Sequence, residues 1–307
     1  MSLRDQAGSK ASRAFANRSG SLRAGFIGLG NQGKPIAAHL APAGFETTVY
    51  DIAPEPVQEL VAGGARSAST PRELGAAADL VGICVPEDDH VRAVVYGDDG
   101  LLAGMGPGGV ILIHSTVMPE TAAEIAEAAA ATNVAVMDAC VTGGAARAAN
   151  KQLTYLIGGP EAALETARPY FEATTDVPIV YAGELGNGAK LKLCINLISY
   201  IQWAAAYESM ALARAIGLPQ EVLEEAGRSN GQITDLMATY LVSHKVPDEA
   251  KSSEGFQSLM RSHMKIAEKD LAWALQLARK AGVALPVGGL VSQSMARLYN
   301  VEDEWRR

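Results

Sequence analysis

Lys192 and Asn196 stand four residues apart in GNGAKLKLCIN (186–196), a segment otherwise made largely of apolar and small residues. Residues spaced by four share one face of an α-helix, whereas Lys190 and Lys192, two apart, point to nearly opposite sides. An ammonium and a carboxamide on one helical face can exchange a proton with a substrate oxygen and orient that oxygen. Lys190 falls outside this face. A lone lysine on a long helix more often snorkels to water or pairs with a carboxylate, so the reading depends on what the face meets.

Two further stretches are candidates for that partner. GFIGLGNQGKP puts Gly28, Gly30 and Gly33 in the G-x-G-x-x-G positions between a strand-like run and the helix-compatible KPIAAHL. The first glycine permits a tight turn, the second lets backbone approach a pyrophosphate, and the third allows close helix packing. Leu29, Asn31 and Gln32 belong to the same cofactor-facing turn, whose phosphates would sit at the positive end of the helix. About twenty residues on, VYD ends the next strand with Asp51, suited to accept from a ribose 2′-hydroxyl and to repel a 2′-phosphate. NAD is therefore expected over NADP. DACVTGGAARAANKQLT (138–154) begins at a strand end and offers Thr142, Gly143 and Gly144, a hydroxyl beside two unhindered backbone N–H groups. Such a nest suits a carboxylate, although VTGG read alone is more often just a turn.

The elements that must position these groups fall into two patterns. From Leu22 to about Tyr181, the runs LRAGFIG, TTVYD, DLVGICV, GVILIHS and VAVMDA read as buried strands separated by Ala- and Glu-rich helices, with LTYLIGG and PIVYAG as two shorter strands. Strand–helix repetition implies an α/β domain with a doubly wound, Rossmann-type parallel sheet, expected over 21–183. After Gly183 the spacing becomes helical throughout. An all-helical domain is expected over 184–307, opening with one long helix from about Leu185 to Ile216. Its run LISYIQWAAAYESMALA is more apolar than one buried face requires, so at least a homodimer, or a homotetramer, is expected.

Composition excludes other classes. A formal net charge of −8 over 307 residues argues against nucleic acid or an anionic membrane as partner. No apolar run is long enough to span a bilayer. Cys84, Cys140 and Cys194 are odd in number and lack metal-ligand spacing, so no metal is expected and a reducing, cytoplasmic setting is the natural reading. Residues 1–20 are rich in Ser, Ala and Arg. They read as a polar tail, though an organelle transit peptide, and hence an organelle matrix, has the same composition.

Taken in order, GFIGLGNQGKPIAAHL, DACVTGG, GNGAKLKLCIN and AEKDLAWAL resemble the β-hydroxyacid dehydrogenases, over about Leu22 to Tyr299. That family includes 3-hydroxyisobutyrate dehydrogenase, tartronate semialdehyde reductase and the glyoxylate/succinic semialdehyde reductases. The resemblance implies that Lys192 is the catalytic lysine and that Thr142, Gly143 and Gly144 bind substrate. It also implies that Val85, Pro86, Thr116 and Lys269 line the cofactor or active site. The chain departs from the family pattern D-A-P-V-S-G-G-x-x-G-A-x-x-G at four places. Cys140 replaces proline, Thr142 replaces serine, and Arg147 and Lys151 replace glycines. Arg147 and Lys151 read as solvated loop cations or as partners of a second polar substrate group. His114 stands where an acid is common, and as a bare feature reads as a core or strand-end histidine.

The expected activity is hydride transfer between NAD and a small carboxylate-bearing hydroxy acid or semialdehyde, similar to 3-hydroxyisobutyrate, 4-hydroxybutyrate or glyoxylate. The resemblance gives Lys192 the role of general acid and base, which calls for a pKa of roughly 7–8. The alternative is a non-catalytic NAD-binding or scaffold protein on the same fold, which loss of the lysine would mark. 6-Phosphogluconate dehydrogenase is similar in motif but has a much longer helical domain.

Overall fold

Strand β1 (Arg23–Ile27) pairs in parallel with β2 (Glu46–Tyr50) on one side and with β4 (Leu80–Ile83) on the other. In this computed structural model, which describes residues 23–302, β3 (Arg66–Ser67), β5 (Val110–Ile113) and β6 (Ala135–Thr142) extend the parallel sheet. The expected tail at 1–20 lies outside the described residues. Residues alternate between the two faces. Ala24, Phe26, Leu80 and Leu112 join one apolar core, while Ile27, Val81, Ile83, Ile111 and Ile113 join the other. Helices cover both faces, so the strands read as unbroken apolar runs rather than alternating ones. At two residues β3 is too short to show a period.

The last two strands break the parallel pattern. β7 (Thr154–Gly158) runs antiparallel to β6, and β8 (Val180–Tyr181) runs parallel to β7, giving the order β3-β2-β1-β4-β5-β6-β7-β8. A parallel neighbour needs a crossover of a dozen or more residues, usually through a full helix. Between β6 and β7 there is room only for the short helix Gly144–Ala149 and its flanking turns, so the chain doubles back.

The chain divides into two compact units between Lys192 and Leu193. In the second, the helices Gln220–Ser229, Asp235–Leu241, Glu254–Lys280, Pro286–Ser292 and Met295–Leu298 surround a core that includes Trp203, Met264, Leu271 and Met295. The helix Glu254–Lys280 starts earlier than the apolar spacing from Ser258 suggests, because the Ser253 hydroxyl accepts the Phe256 N–H and caps it. The long helix runs Asn187–Ala215. No described helix is long and apolar enough to cross a membrane.

His114, immediately after β5, is a core residue. Its ring stacks between Phe26 and Tyr170, with centroids 5.7 Å away on each side. Nδ1 lies 2.8 Å from the Ala139 carbonyl and Nε2 lies 2.9 Å from the Tyr170 hydroxyl. A carbonyl can only accept, so Nδ1 carries the proton and Nε2 accepts from Tyr170. Gly82 is fixed by the same cluster, since a Cβ there would collide with the Tyr170 oxygen.

Burial pushes the His114 pKa down from 6.5 to about 4, only partly offset by the bond to Ala139. Between those two values the unfolded chain takes up a proton that the folded chain refuses, so this residue's contribution to stability falls as pH drops. The loss amounts to about 3 kcal/mol and levels off below the folded-state value. In chemical denaturation from pH 7 to pH 4, His114→Asn should lose about that much less stability on the acid side than the unchanged protein. Parallel curves would show that the histidine is not the group responsible.

Candidate active site

The dinucleotide turn is closed on two sides and open on the third. Gly28 has φ +90° and donates its N–H to the Tyr50 carbonyl, and a Cβ on it would strike the Cys84 carbonyl. A Cβ on Gly33 would strike the Gly28 carbonyl, whereas one on Gly30 would meet nothing within 4 Å. Only the middle glycine faces open space, as close approach of a pyrophosphate requires. Leu29 is buried, Asn31 is exposed, and Gln32 holds a buried Nε2 with no hydrogen-bond partner among the described residues. This open glycine and spare donor fit a dinucleotide. Asp51, directly after β2, is partly buried, and its carboxylate accepts the N–H groups of Leu29 and Ala53. The acid that the sequence offers as a ribose partner therefore braces the glycine turn.

The loops after β4 and β5 are tied to each other. The Val85 N–H donates to Ser115 Oγ at 2.8 Å, next to Thr116. Asp88 accepts the Met118 N–H at 2.9 Å and the Thr121 hydroxyl. Pro86 is exposed in the first of these loops. Ser115 and Asp88 were not singled out by sequence. A Ser two residues past a buried strand and an Asp opening a helix were the available signals.

β6 runs on for four residues beyond Asp138, which is level with the end of β5, and so carries Thr142 about 13 Å past its neighbour. Gly143 (φ +132°) and Gly144 (φ +78°) follow, in backbone conformations that favour glycine. The aliphatic stem of Arg147 lies against Gly143, and its exposed guanidinium has no partner among the described residues. His39 donates from Nε2 to the Ala148 carbonyl at 2.9 Å, bracing this short helix against the one that follows the dinucleotide turn. Lys151 has φ +54°, a left-handed conformation that costs a non-glycine residue about 1–2 kcal/mol. That conformation accounts for the glycine in the family pattern. Lys151 is held by its carbonyl, which accepts the Asp176 N–H, and by an ion pair to the Asp176 carboxylate at 3.6 Å.

The helix bearing Lys192 starts on the sheet. Asp138, 0% exposed, accepts the Gly186 N–H at 2.8 Å and the Ala189 N–H at 2.6 Å. Burial pushes its carboxyl above the usual range, against the opposing pull of these backbone donors. Gly188 must be small, because a Cβ would run into the Leu156 carbonyl and Asp138. Lys190 is exposed and donates to Asn187 Oδ1 at 3.0 Å, whereas Lys192 is partly buried.

In the second unit, Asn196 Nδ2 donates to Asp270 Oδ2 at 2.7 Å. A carboxylate only accepts, so the amide NH2 is turned to Asp270 and Oδ1 is left to face the other way. Burial first, and then the Asp270 charge, push the Tyr200 hydroxyl well above its usual range. Lys269 lies 3.5 Å from Asp270 and 4.3 Å over the Trp273 ring. In AEKDL, the sequence points to Lys269, whereas the structure puts the neighbouring Asp270 against Asn196. The turn residues Gly28–Gly33, Asp51, Val85, Thr116 and Thr142 thus gather at the carboxyl edge of the parallel strands, where ligands bind in open α/β sheets.

Residues 23–183 match the family model described as the NAD binding domain of 6-phosphogluconate dehydrogenase. Residues 186–304 match one described as NAD-binding of NADP-dependent 3-hydroxyisobutyrate dehydrogenase. The chain is 36% identical over 265 residues to NAD-dependent L-serine dehydrogenase of Pseudomonas aeruginosa, covering 86% of this chain and 88% of that protein. It is 34% identical to the 3-hydroxyisobutyrate dehydrogenase of the same organism, with the same coverage. Among solved structures, 3-hydroxyisobutyrate dehydrogenase (ygbJ) from Salmonella typhimurium superposes with a TM-score of 0.80 at 28% identity, over 91% of this chain and 95% of that one.

Asp51→Arg is expected to shift preference from NAD toward NADP by exchanging a hydroxyl acceptor for a phosphate partner. Because Leu29 then loses its brace, total affinity should fall as well. Titrating both dinucleotides against both proteins checks this, and equal or better NADP binding by the unchanged protein would refute the role given to Asp51.

Proposed function

This chain belongs to the β-hydroxyacid dehydrogenase family, and we propose that within it Lys192 is the general acid and base of an NAD-dependent dehydrogenase acting on a small hydroxy acid. One observation carries the reading. The helix that bears Lys192 starts on Asp138 of β6, the strand whose far end presents Thr142, Gly143 and Gly144. The glycine turn and Asp51 would hold NAD, which when bound supplies the hydride acceptor or donor at its nicotinamide ring. The Thr142 hydroxyl and the Gly143 and Gly144 N–H groups would hold the substrate carboxylate. Lys192 then takes the hydroxyl proton in oxidation and returns it to the carbonyl oxygen in reduction. Asn196, one helical turn on, keeps its NH2 on Asp270, so it serves as an acceptor that orients an ammonium or hydroxyl donor without adding charge.

The substrate class follows from the carboxylate nest and the relatives. Two are named for L-serine and 3-hydroxyisobutyrate, and a relative from Eubacterium barkeri, 30% identical, is named for 2-(hydroxymethyl)glutarate. The test is an NAD-linked oxidation screen of those three acids and 4-hydroxybutyrate, with glyoxylate reduction in parallel. Intact NAD binding with no turnover on any of them would favour the non-catalytic reading.

Two predictions follow from the helix. Lys192→Ala should lower turnover by about 10²–10⁴ while NAD still binds, and Lys190→Ala should leave kcat within about threefold because its ammonium faces solvent and Asn187. The reverse ranking would overturn the assignment. A homo-oligomer is also part of the reading, since Ile198, Leu212, Ile216, Leu218 and Val222 are at least half exposed on the helical unit. Light scattering at micromolar concentration should give at least a dimer, and a monodisperse monomer would count against it.

A further inference from the structure

We propose that Asp138 is a positioning residue, whose buried carboxylate determines where Lys192 stands by fixing the first turn of the helix that carries it. The proposal rests on the reading of Lys192 as the acid–base group, and goes beyond it by naming what holds that group.

An exposed cap would stabilise a helix start at far less cost than a buried carboxylate. Here the carboxylate is fully buried, accepts from Gly186 with one oxygen and from Ala189 with the other, and so constrains both translation and rotation of the turn. The surroundings are cut to admit this arrangement. A Cβ on Gly158 would lie 2.6 Å from Asp138 Oδ1, and one on Gly188 would lie 2.9 Å from Oδ2. Gly186 has φ +89°, and a Cβ on it would lie 3.2 Å from the ring of Pro119, which opens the helix Pro119–Ala130 directly after Met118, the residue held by Asp88. The turn that Asp138 grips is therefore seated against the start of the helix that follows the Thr116 loop.

The geometry gives this grip leverage. Lys192 follows Ala189 by three residues, about 4.5 Å along the helix axis. A one-residue slip of the helix against the sheet would turn the Lys192 side chain through about 100° and offer a leucine, 191 or 193, in its place. Helix propensity does not forbid such a slip, whereas paired acceptors matched to two particular N–H groups do.

Asp138→Asn tests the idea in the full chain, because it keeps the shape but turns an NH2 toward one of the two backbone donors. With the best acid of the screen, kcat should fall by about 10- to 100-fold, while the dissociation constant for NAD and the KM stay within about threefold. In a Lys192→Ala background the same change should cost under about threefold, since a residue acting through Lys192 has nothing left to act on. Hydrogen exchange over residues 186–192 should rise, whatever the substrate. Gly186→Ala, which strains the gripped turn and leaves the charge in place, should lower kcat in the same direction if the asparagine variant fails to fold. The proposal is overturned by equal losses with and without Lys192, by NAD affinity falling in step with kcat, or by unchanged exchange over the turn. Should Lys192→Ala itself retain full activity, the acid–base reading falls, and the exchange result still reports on the grip.

Discussion

The buried carboxylate of Asp138 is the constraint around which the first unit is arranged. It joins the middle of β6 to the start of the long helix, and two glycines, 158 and 188, make the room it needs. Backbone donors and the positive end of the helix compensate the charge, so no cation is required at that point. Burial still outweighs them and raises the carboxyl. Stability alone does not call for such a group, since well-packed apolar residues often serve as well or better than buried ions. What an apolar residue lacks is direction, and the carboxylate supplies it.

The same logic recurs around the carboxyl edge, where polar groups fix loops that apolar packing would leave free to shift. Asp51 holds the glycine turn, Ser115 holds Val85, Asp88 holds Met118, and His39 holds Ala148. Each bond joins the segment after one strand to the segment after another, so these connections are set relative to one another by the rigid sheet beneath them. In the helical unit, Asp270 likewise determines which way the Asn196 amide is turned. Most of these anchors are neutral hydrogen bonds or acceptors of backbone N–H, which resist salt better than surface ion pairs.

The departures from the family pattern sort by what each position must do. Thr142 keeps a hydroxyl and ends β6 as the pattern requires. Cys140 fills a buried slot and donates weakly to the Ser115 carbonyl at 3.4 Å. Lys151 adopts the conformation a glycine would take, with its backbone and ammonium tied to Asp176, and so sustains the turn at some cost. The aliphatic stem of Arg147 lies against Gly143 and fills space that the glycine of the family pattern would leave open.

Much of this was legible in the chain alone, because local periodicity and short glycine motifs are written in adjacent residues. Unbroken apolar runs named the strands, GFIGLGNQGKP named the dinucleotide turn, and spacing by four separated Lys192 from Lys190. What sequence left unread depends on pairs distant along the chain. The reversal of β7 came from a connection too short for a crossover, and the neutral state of His114 came from Phe26 and Tyr170 closing over it. Asp138 and Asp270 were visible in the quoted motifs, yet their partners lie 48 and 51 residues away in one case and 74 in the other. Sequence determined which residue types the site contains; folding alone decided which of their atoms are bound by backbone or buried carboxylate and which are left for chemistry.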